Sequence, residues 1–277
     1  MQAAWVYLDR ASVLRDGFEL SVPAPSAAAL LPPPRPINRR RFLWGGSAVA
    51  ASLVGLVTVA NHLRNVDRIE TALGEVRRVP LNDGSIAAVN TSTRLSIEIG
   101  ERVRNVRIDR GEAWFQVAKD RARPFVVAAG EVRVRAVGTA FSVQRRDDGA
   151  DVQVTEGVVE VWTVGRESER KRVSAGARTF ASAKSGPETP VQASVDIDRS
   201  LAWREGQLVL QGDSLGEAAA QFNRYNLLKI EVSANLQGER IVGRFRTNEP
   251  EAFAQAVSAM TSAHVERRGD LIVLTRS

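Results

Sequence analysis

The chain holds two imidazoles, His62 and His264, and no cysteine. An imidazole becomes a metal ligand or a general base when partners stand at matching spacing around it. Neither histidine has an Asp, a Glu or a second His at ligand spacing, and no nucleophile elbow accompanies His264. Val137-Gly138-Thr139-Ala140 and Gly45-Gly46 lack the spacing of a phosphate-cradling loop. The carboxylates are spread through turns and exposed strand positions, where they keep a surface solvated. Without cysteine there are no disulfides, thiolate metal sites or thiol nucleophiles. These residues predict no metal, no cofactor and no catalytic centre.

The formal net charge of +6 raises the question of nucleic acid. Arginines, however, are scattered, and the only tight basic cluster is Arg39-Arg40-Arg41 beside an apolar run. Aromatic and basic residues do not interleave along any stretch that would stack bases, so direct nucleic-acid binding is not expected. At 277 residues, 44% hydrophobic and 25% charged, the chain has room for two folded domains plus a membrane segment.

Residues 1–22 predict one short helix carrying Trp5 and Leu8. Residues 23–41 form a proline-rich, basic linker, since six prolines between Pro23 and Pro36 block helix and ladder hydrogen bonds. Phe42 to Ala60 are 19 residues without a charge, enough helix for roughly 30 Å of hydrocarbon. Residues 42–63 therefore predict a transmembrane helix, with Gly45, Gly46 and Gly55 more at home in lipid than in a soluble helix. Arg39, Arg40 and Arg41 on its N-terminal flank place residues 1–41 in the cytoplasm and the rest across the membrane. Asn38-Arg39-Arg40-Arg41-Phe42-Leu43 is also close to the twin-arginine export pattern. An uncleaved anchor is the favoured reading; cleavage after Thr58-Val59-Ala60 is the alternative.

Residues 64–181 predict an all-β domain. Short alternating runs (Ile86–Val89, Leu95–Ile99, Val103–Ile108, Glu112–Val117 and others to Val158–Val161) are separated by Asn82-Asp83-Gly84, Arg110-Gly111, Gly130, Glu156-Gly157 and Gly176. Arg110-Gly111-Glu112-Ala113-Trp114-Phe115 is echoed by Glu156-Gly157-Val158-Val159-Glu160-Val161, which suggests stacked units, solenoid or sandwich. Trp114, Phe115, Phe125 and Phe141 are expected in its core. Residues 182–200 are expected to be a polar linker. Residues 201–277 predict a small α+β domain in the order βαβ-βαββ. Ser214 and Glu217 have capping-box spacing at its first helix, with Leu215, Ala218, Ala219 and Phe222 on the apolar face. Pro250 opens the second helix after Asn248, with Phe253, Val257 and Met260 inward.

Five stretches in this order carry a family resemblance. They are Leu81-Asn82-Asp83-Gly84-Ser85; Arg110 to Asp120; Arg123-Pro124-Phe125-Val126-Val127; Val137-Gly138-Thr139-Ala140-Phe141-Ser142-Val143; and Val154-Thr155-Glu156-Gly157-Val158-Val159. Together they resemble the FecR family of membrane-bound anti-sigma regulators. The likeness runs on through Ala202-Trp203-Arg204-Glu205-Gly206-Gln207-Leu208 into a tail similar to the short signalling domain of secretins and TonB-dependent receptors.

The resemblance implies an inner-membrane relay crossing once, with its C-terminal domains in the periplasm. An extracytoplasmic-function sigma factor would bind on the cytoplasmic side, through Trp5 and Leu8 here, and the signalling domain of a TonB-dependent outer-membrane transporter for ferric siderophores or haem on the other. Regulatory proteases would release the sigma factor. Family members carry a longer helical domain before the membrane; here Ala3 to Arg10 resembles its first helix and the proline linker follows directly. That segment is read as a late start, a reduced domain, or one helix that folds on its partner. A receptor or adaptor without a sigma partner is the alternative. The strands expected to offer free edges to the transporter domain are Gln207–Leu210 (Gln207, Leu208, Val209, Leu210) and Leu271–Leu274 (Leu271, Ile272, Val273 among them).

Overall fold

The computed structural model describes residues 66–276, which lie within one compact unit. Trp5, Leu8, Arg39–Arg41 and the run from Phe42 to Ala60 lie outside them. Among the described residues no helix is long and apolar enough to cross a membrane.

Two sheets form the first part. One holds β1 (Val66–Glu70), β4 (Arg94–Ile99), β5 (Arg104–Arg110), β7 (Phe125–Ala129), β8 (Val132–Ala136), β11 (Val158–Thr163) and β12 (Lys171–Ser174), side by side in that order. The other holds β2 (Arg77–Pro80), β3 (Ile86–Val89), β6 (Glu112–Gln116), β9 (Ala140–Arg145), β10 (Gly149–Glu156), β13 (Ala177–Ser182) and β14 (Gly186–Pro187), again in chain order, with β15 (Val191–Gln192) also on β13. Both candidate architectures are thus partly right. The layers make a sandwich, while the chain passes between them and advances in one direction, as a solenoid does.

Alternation makes this possible. In β5 the pattern buries Val106 and Ile108 and exposes Asn105 and Arg107; β7 buries Phe125, Val127 and Ala129. The two inner faces close one core, in which the Phe115 ring lies 5.5 Å from Phe125 and 5.6 Å from Phe141. Trp114 departs from expectation. Its neighbours Ala113 and Phe115 point inward, so its indole emerges on the outer face of the second sheet. The sequence echo marks one backbone event. A single glycine turns β5 into β6 (Gly111, φ +87°) and β10 into β11 (Gly157, φ +77°), each time moving the chain to the other sheet. A Cβ at Gly111 would lie 2.2 Å from the Thr93 hydroxyl, and one at Gly157 2.8 Å from the Thr139 methyl.

The polar linker expected over residues 182–200 is built from short regular elements. These residues supply β14, β15 and helix α1 (Ser194–Ser200), with Ile197 buried. Pro187 sits in β14 and Pro190 just before β15, both short edge strands that tolerate a missing donor.

The tail follows the expected order: β16 (Gln207–Ser214), α2 (Leu215–Asn223), β17 (Lys229–Val232), β18 (Arg240–Arg246), α3 (Pro250–Thr261), β19 (His264–Arg268) and β20 (Leu271–Thr275). Ser214 and Glu217 form the capping box, and Leu215, Ala218, Ala219 and Phe222 are buried. On α3 the N-cap is Glu249 rather than Asn248; Phe253 and Val257 are buried, but Met260 near the helix end is 52% exposed. Phe222 stacks on Phe253, and Phe245 meets both rings edge-on. One assignment is overturned. The sheet order is β17-β20-β19, so Leu271, Ile272 and Val273 lie on a central strand, bonded on both sides, and form no edge. A run as apolar as Leu-Ile-Val-Leu is what a strand needs when covered by neighbours.

Candidate functional site

Glu112 opens β6 and faces the tail. Its side chain is 6% exposed, and each carboxylate oxygen accepts two hydrogen bonds. Oε1 takes the Trp203 indole N–H at 3.1 Å and the Ser142 hydroxyl at 3.4 Å. Oε2 takes the Asn90 amide at 3.0 Å and the Arg224 guanidinium at 3.1 Å. Two donors come from the sandwich and two from the tail. A buried carboxylate left without partners costs several kcal/mol, so this one is tolerable only when both halves are in place.

Around it the joint is close-fitted. The Gly74 amide donates to the Thr91 hydroxyl at 2.7 Å, and that hydroxyl donates to the Arg224 carbonyl at 3.3 Å. Trp114 and Ala88, on the sandwich's outer face, pack against the tail's apolar core, and the Arg204 guanidinium lies 4.5 Å from the Trp114 ring centroid. Burial holds Arg204 below its ordinary value and pushes the Tyr225 phenol up to about 12. Sequence reasoning passed over Glu112, because a glutamate on an outward strand position is ordinary. The signal it did contain was Trp114, a large aromatic on the same outward face.

Beside this joint lies a cleft of about 470 Å³, with Glu112, Gln153, Arg178 and Ser200 in one wall and Val209 and Arg224 in the other. β16 forms part of its rim. Of the edges expected from sequence, this one is open among the described residues: β16 pairs with β18 and with no other strand there. Residues opposite one another in an antiparallel pair alternate between bonded and non-bonded. The Thr247 amide donates to the Gly206 carbonyl at 2.9 Å, so 206/247, 208/245 and 210/243 are the bonded pairs in this register. Leu208 and Leu210 turn their backbone groups to β18; Gln207 and Val209 turn theirs outward. The open stretch ends at Gln211, whose amide is taken by the Asp213 carboxylate at 2.8 Å, itself held by Arg199 at 2.6 Å.

The FecR protein family model matches residues 67–160, the stretch that contains the corners at Gly111 and Gly157. Two solved structures of a candidate anti-sigma factor from Parabacteroides distasonis share the fold, each 23% identical, with TM-scores of 0.61 and 0.62. Each alignment spans 99% of that chain and 76% of this one, and residues 66–276 enclose two hydrophobic cores of their own. No curated protein that was compared matches the chain.

Proposed function

We propose that this FecR-family chain is a single-pass inner-membrane regulator that restrains an extracytoplasmic-function sigma factor and is switched from the periplasm. The signalling domain of a TonB-dependent transporter serving siderophore or haem uptake is the input, and regulatory proteolysis is the output step. The reading rests on one observation above all: a FecR region is locked through Glu112 to a tail whose strand β16 keeps an open edge. A regulator that passes a signal along its length needs a receiving surface joined stiffly to the body that carries the anchor. The contact proposed on the tail is Gln207–Leu210, read through the outward groups of Gln207 and Val209. Leu271–Val273 lie at the centre of the tail's other, three-stranded sheet and are not proposed as contacts.

On the other side of the membrane, Trp5 and Leu8 are proposed to hold the sigma factor, and Arg39–Arg41 to fix the N-in orientation. The test is a sigma-dependent reporter in cells making the full chain, a chain lacking residues 201–277, or none. Transcription that responds to the transporter's substrate with the full chain and loses that response without residues 201–277 is the expected result. Retention of the response without the tail overturns the receiving role. The adaptor alternative is favoured if residues 1–41 bind no sigma factor in a pull-down.

A further inference from the structure

The sandwich has two outer faces, and the tail covers only that of the second sheet, through Ala88, Trp114 and Glu112. On the first sheet the register sets Arg68 opposite Ser96, Ser96 opposite Arg107, Arg107 opposite Ala128, Ala128 opposite Arg133, and Arg133 opposite Trp162. These residues form one row across six strands, on the face opposite the buried Ile97, Val106, Val127, Val134 and Val161. Arginines alternate with small residues, and at about 4.8 Å per strand the arginine positions stand about 10 Å apart.

The guanidiniums are free to meet something. Among the described residues no carboxylate pairs with Arg68 or Arg133, and Arg133 donates only to the Gly130 and Val132 carbonyls. Arg107, its side chain 69% exposed, has Asp109 at a loose 3.7 Å. Between Arg107 and Arg133 a hollow of about 290 Å³ is floored by Ser96, Val126 and Ala128, with Glu98 in its wall. At the far end Arg170 stacks on Trp162 at 4.3 Å and reaches Glu160 at 3.3 Å.

We propose that this face lies on the anionic lipid headgroups of the bilayer that anchors the chain, a step that rests on the membrane-anchor reading above. β1, which bears Arg68, starts six residues after the uncharged run ends at Ala60, a reach of at most about 20 Å. On the membrane-anchor reading, only a short tether separates the start of the row from the span. Headgroups diffuse laterally and can meet guanidiniums fixed about 10 Å apart, and a flat face with an aromatic at one end suits an interface better than a threaded polymer. With the first sheet on the lipid, the tail on the opposite face is turned away from the membrane, toward a partner in the outer membrane.

The experiment uses residues 66–276 with phosphatidylcholine vesicles, with or without phosphatidylglycerol, in a sedimentation assay at low and high salt. Binding is expected only to the anionic vesicles and to weaken with salt. Each arginine near such a surface is worth roughly fivefold, so Arg68→Gln/Arg107→Gln/Arg133→Gln should lower binding on the order of a hundredfold. Arg244→Gln/Arg246→Gln in the tail should leave it within about twofold. If circular dichroism shows the triple variant misfolded, Ser96→Glu, which places a negative charge within the row, must lower binding by itself. Equal binding to neutral vesicles, or equal losses in the tail and face variants, overturns the proposal. So does tighter binding to duplex DNA or to an acidic polysaccharide, which would make the row a general polyanion site. A reporter fused after Ser277 tests the anchor reading independently, so failure of one is not failure of the other.

Discussion

The indole of Trp203 donates to the Glu112 carboxylate across 91 residues of sequence, tying the FecR region to the tail through one buried hydrogen bond at 3.1 Å. With the Arg224 guanidinium on the other oxygen, it makes Glu112 the point where the two cores are coupled. Glu112→Ala would strand an indole N–H, an amide and a half-exposed guanidinium, and is expected to cost about 2–3 kcal/mol of unfolding free energy. Glu112→Gln keeps two acceptor lone pairs and should cost about 1 kcal/mol. A cycle with Trp203→Phe checks the assignment: a coupling below about 0.5 kcal/mol in urea melts would mean that the two residues do not act together.

Tyr225 provides a pH readout of the same joint. Residues 66–276 contain no other tyrosine. Burial raises its folded value to about 12 from an ordinary value near 10. A raised value means that the neutral phenol is favoured by folding, so its contribution is complete below pH 10 and is lost as pH rises through 12. At about 1.4 kcal/mol per unit, this amounts to roughly 3 kcal/mol. Phenolate absorbance should appear near pH 12 or together with unfolding, and Tyr225→Phe should flatten the alkaline loss of stability. Phenolate forming at pH 10 in the folded protein would contradict this.

Asp83 illustrates what the sequence showed and what it hid. The Asn-Asp-Gly turn was legible, and Gly84 takes the positive φ such a turn needs (φ +82°). That the Asp83 side chain would be buried against Arg104, 21 residues on, was not, because no periodicity marks a long-range pair. Burial alone would raise its carboxyl, but the Ser85 hydroxyl and amide and the Arg104 guanidinium outweigh that and hold it below the usual range. A lowered value contributes stability above about pH 4 that is lost as pH falls through the folded value. Asp83→Asn should remove that acid dependence, and Arg104→Met, by orphaning the carboxylate, should cost about 3–5 kcal/mol in a denaturant melt. Strand order and the central place of β20 were hidden for a related reason. Apolar runs such as Leu271–Leu274 say that a strand is covered, not by which neighbours.

The corner glycines separate two effects usually merged. Gly111 and Gly165 have similar dihedrals, φ +87° and +80°, but a Cβ meets Thr93 at Gly111 and nothing within 4 Å at Gly165. Gly165→Ala should show the conformational cost alone, about 1 kcal/mol. Gly111→Ala should add a clash with the buried Thr93 and exceed it by at least about 2 kcal/mol. Similar melting temperatures for the two variants would show that the sheet-to-sheet corner can relax.

The open edge of β16 can be tested residue by residue. Because 206/247 and 208/245 are bonded pairs, the Leu208 amide points to β18 and the Val209 amide points away. Proline removes one donor and leaves the rest of the strand in place. Val209→Pro should keep the cooperative melt of residues 66–276 while weakening capture of the transporter's signalling domain about tenfold, since strand addition relies on main-chain bonds. Leu208→Pro breaks the internal ladder and should lower stability by about 3 kcal/mol. Ile272→Pro should do the same, because β20 is bonded on both sides. Full-strength binding by a folded Val209→Pro variant would move the receiving surface off this edge, leaving the cleft between Gln153 and Arg224 as the next place to mutate.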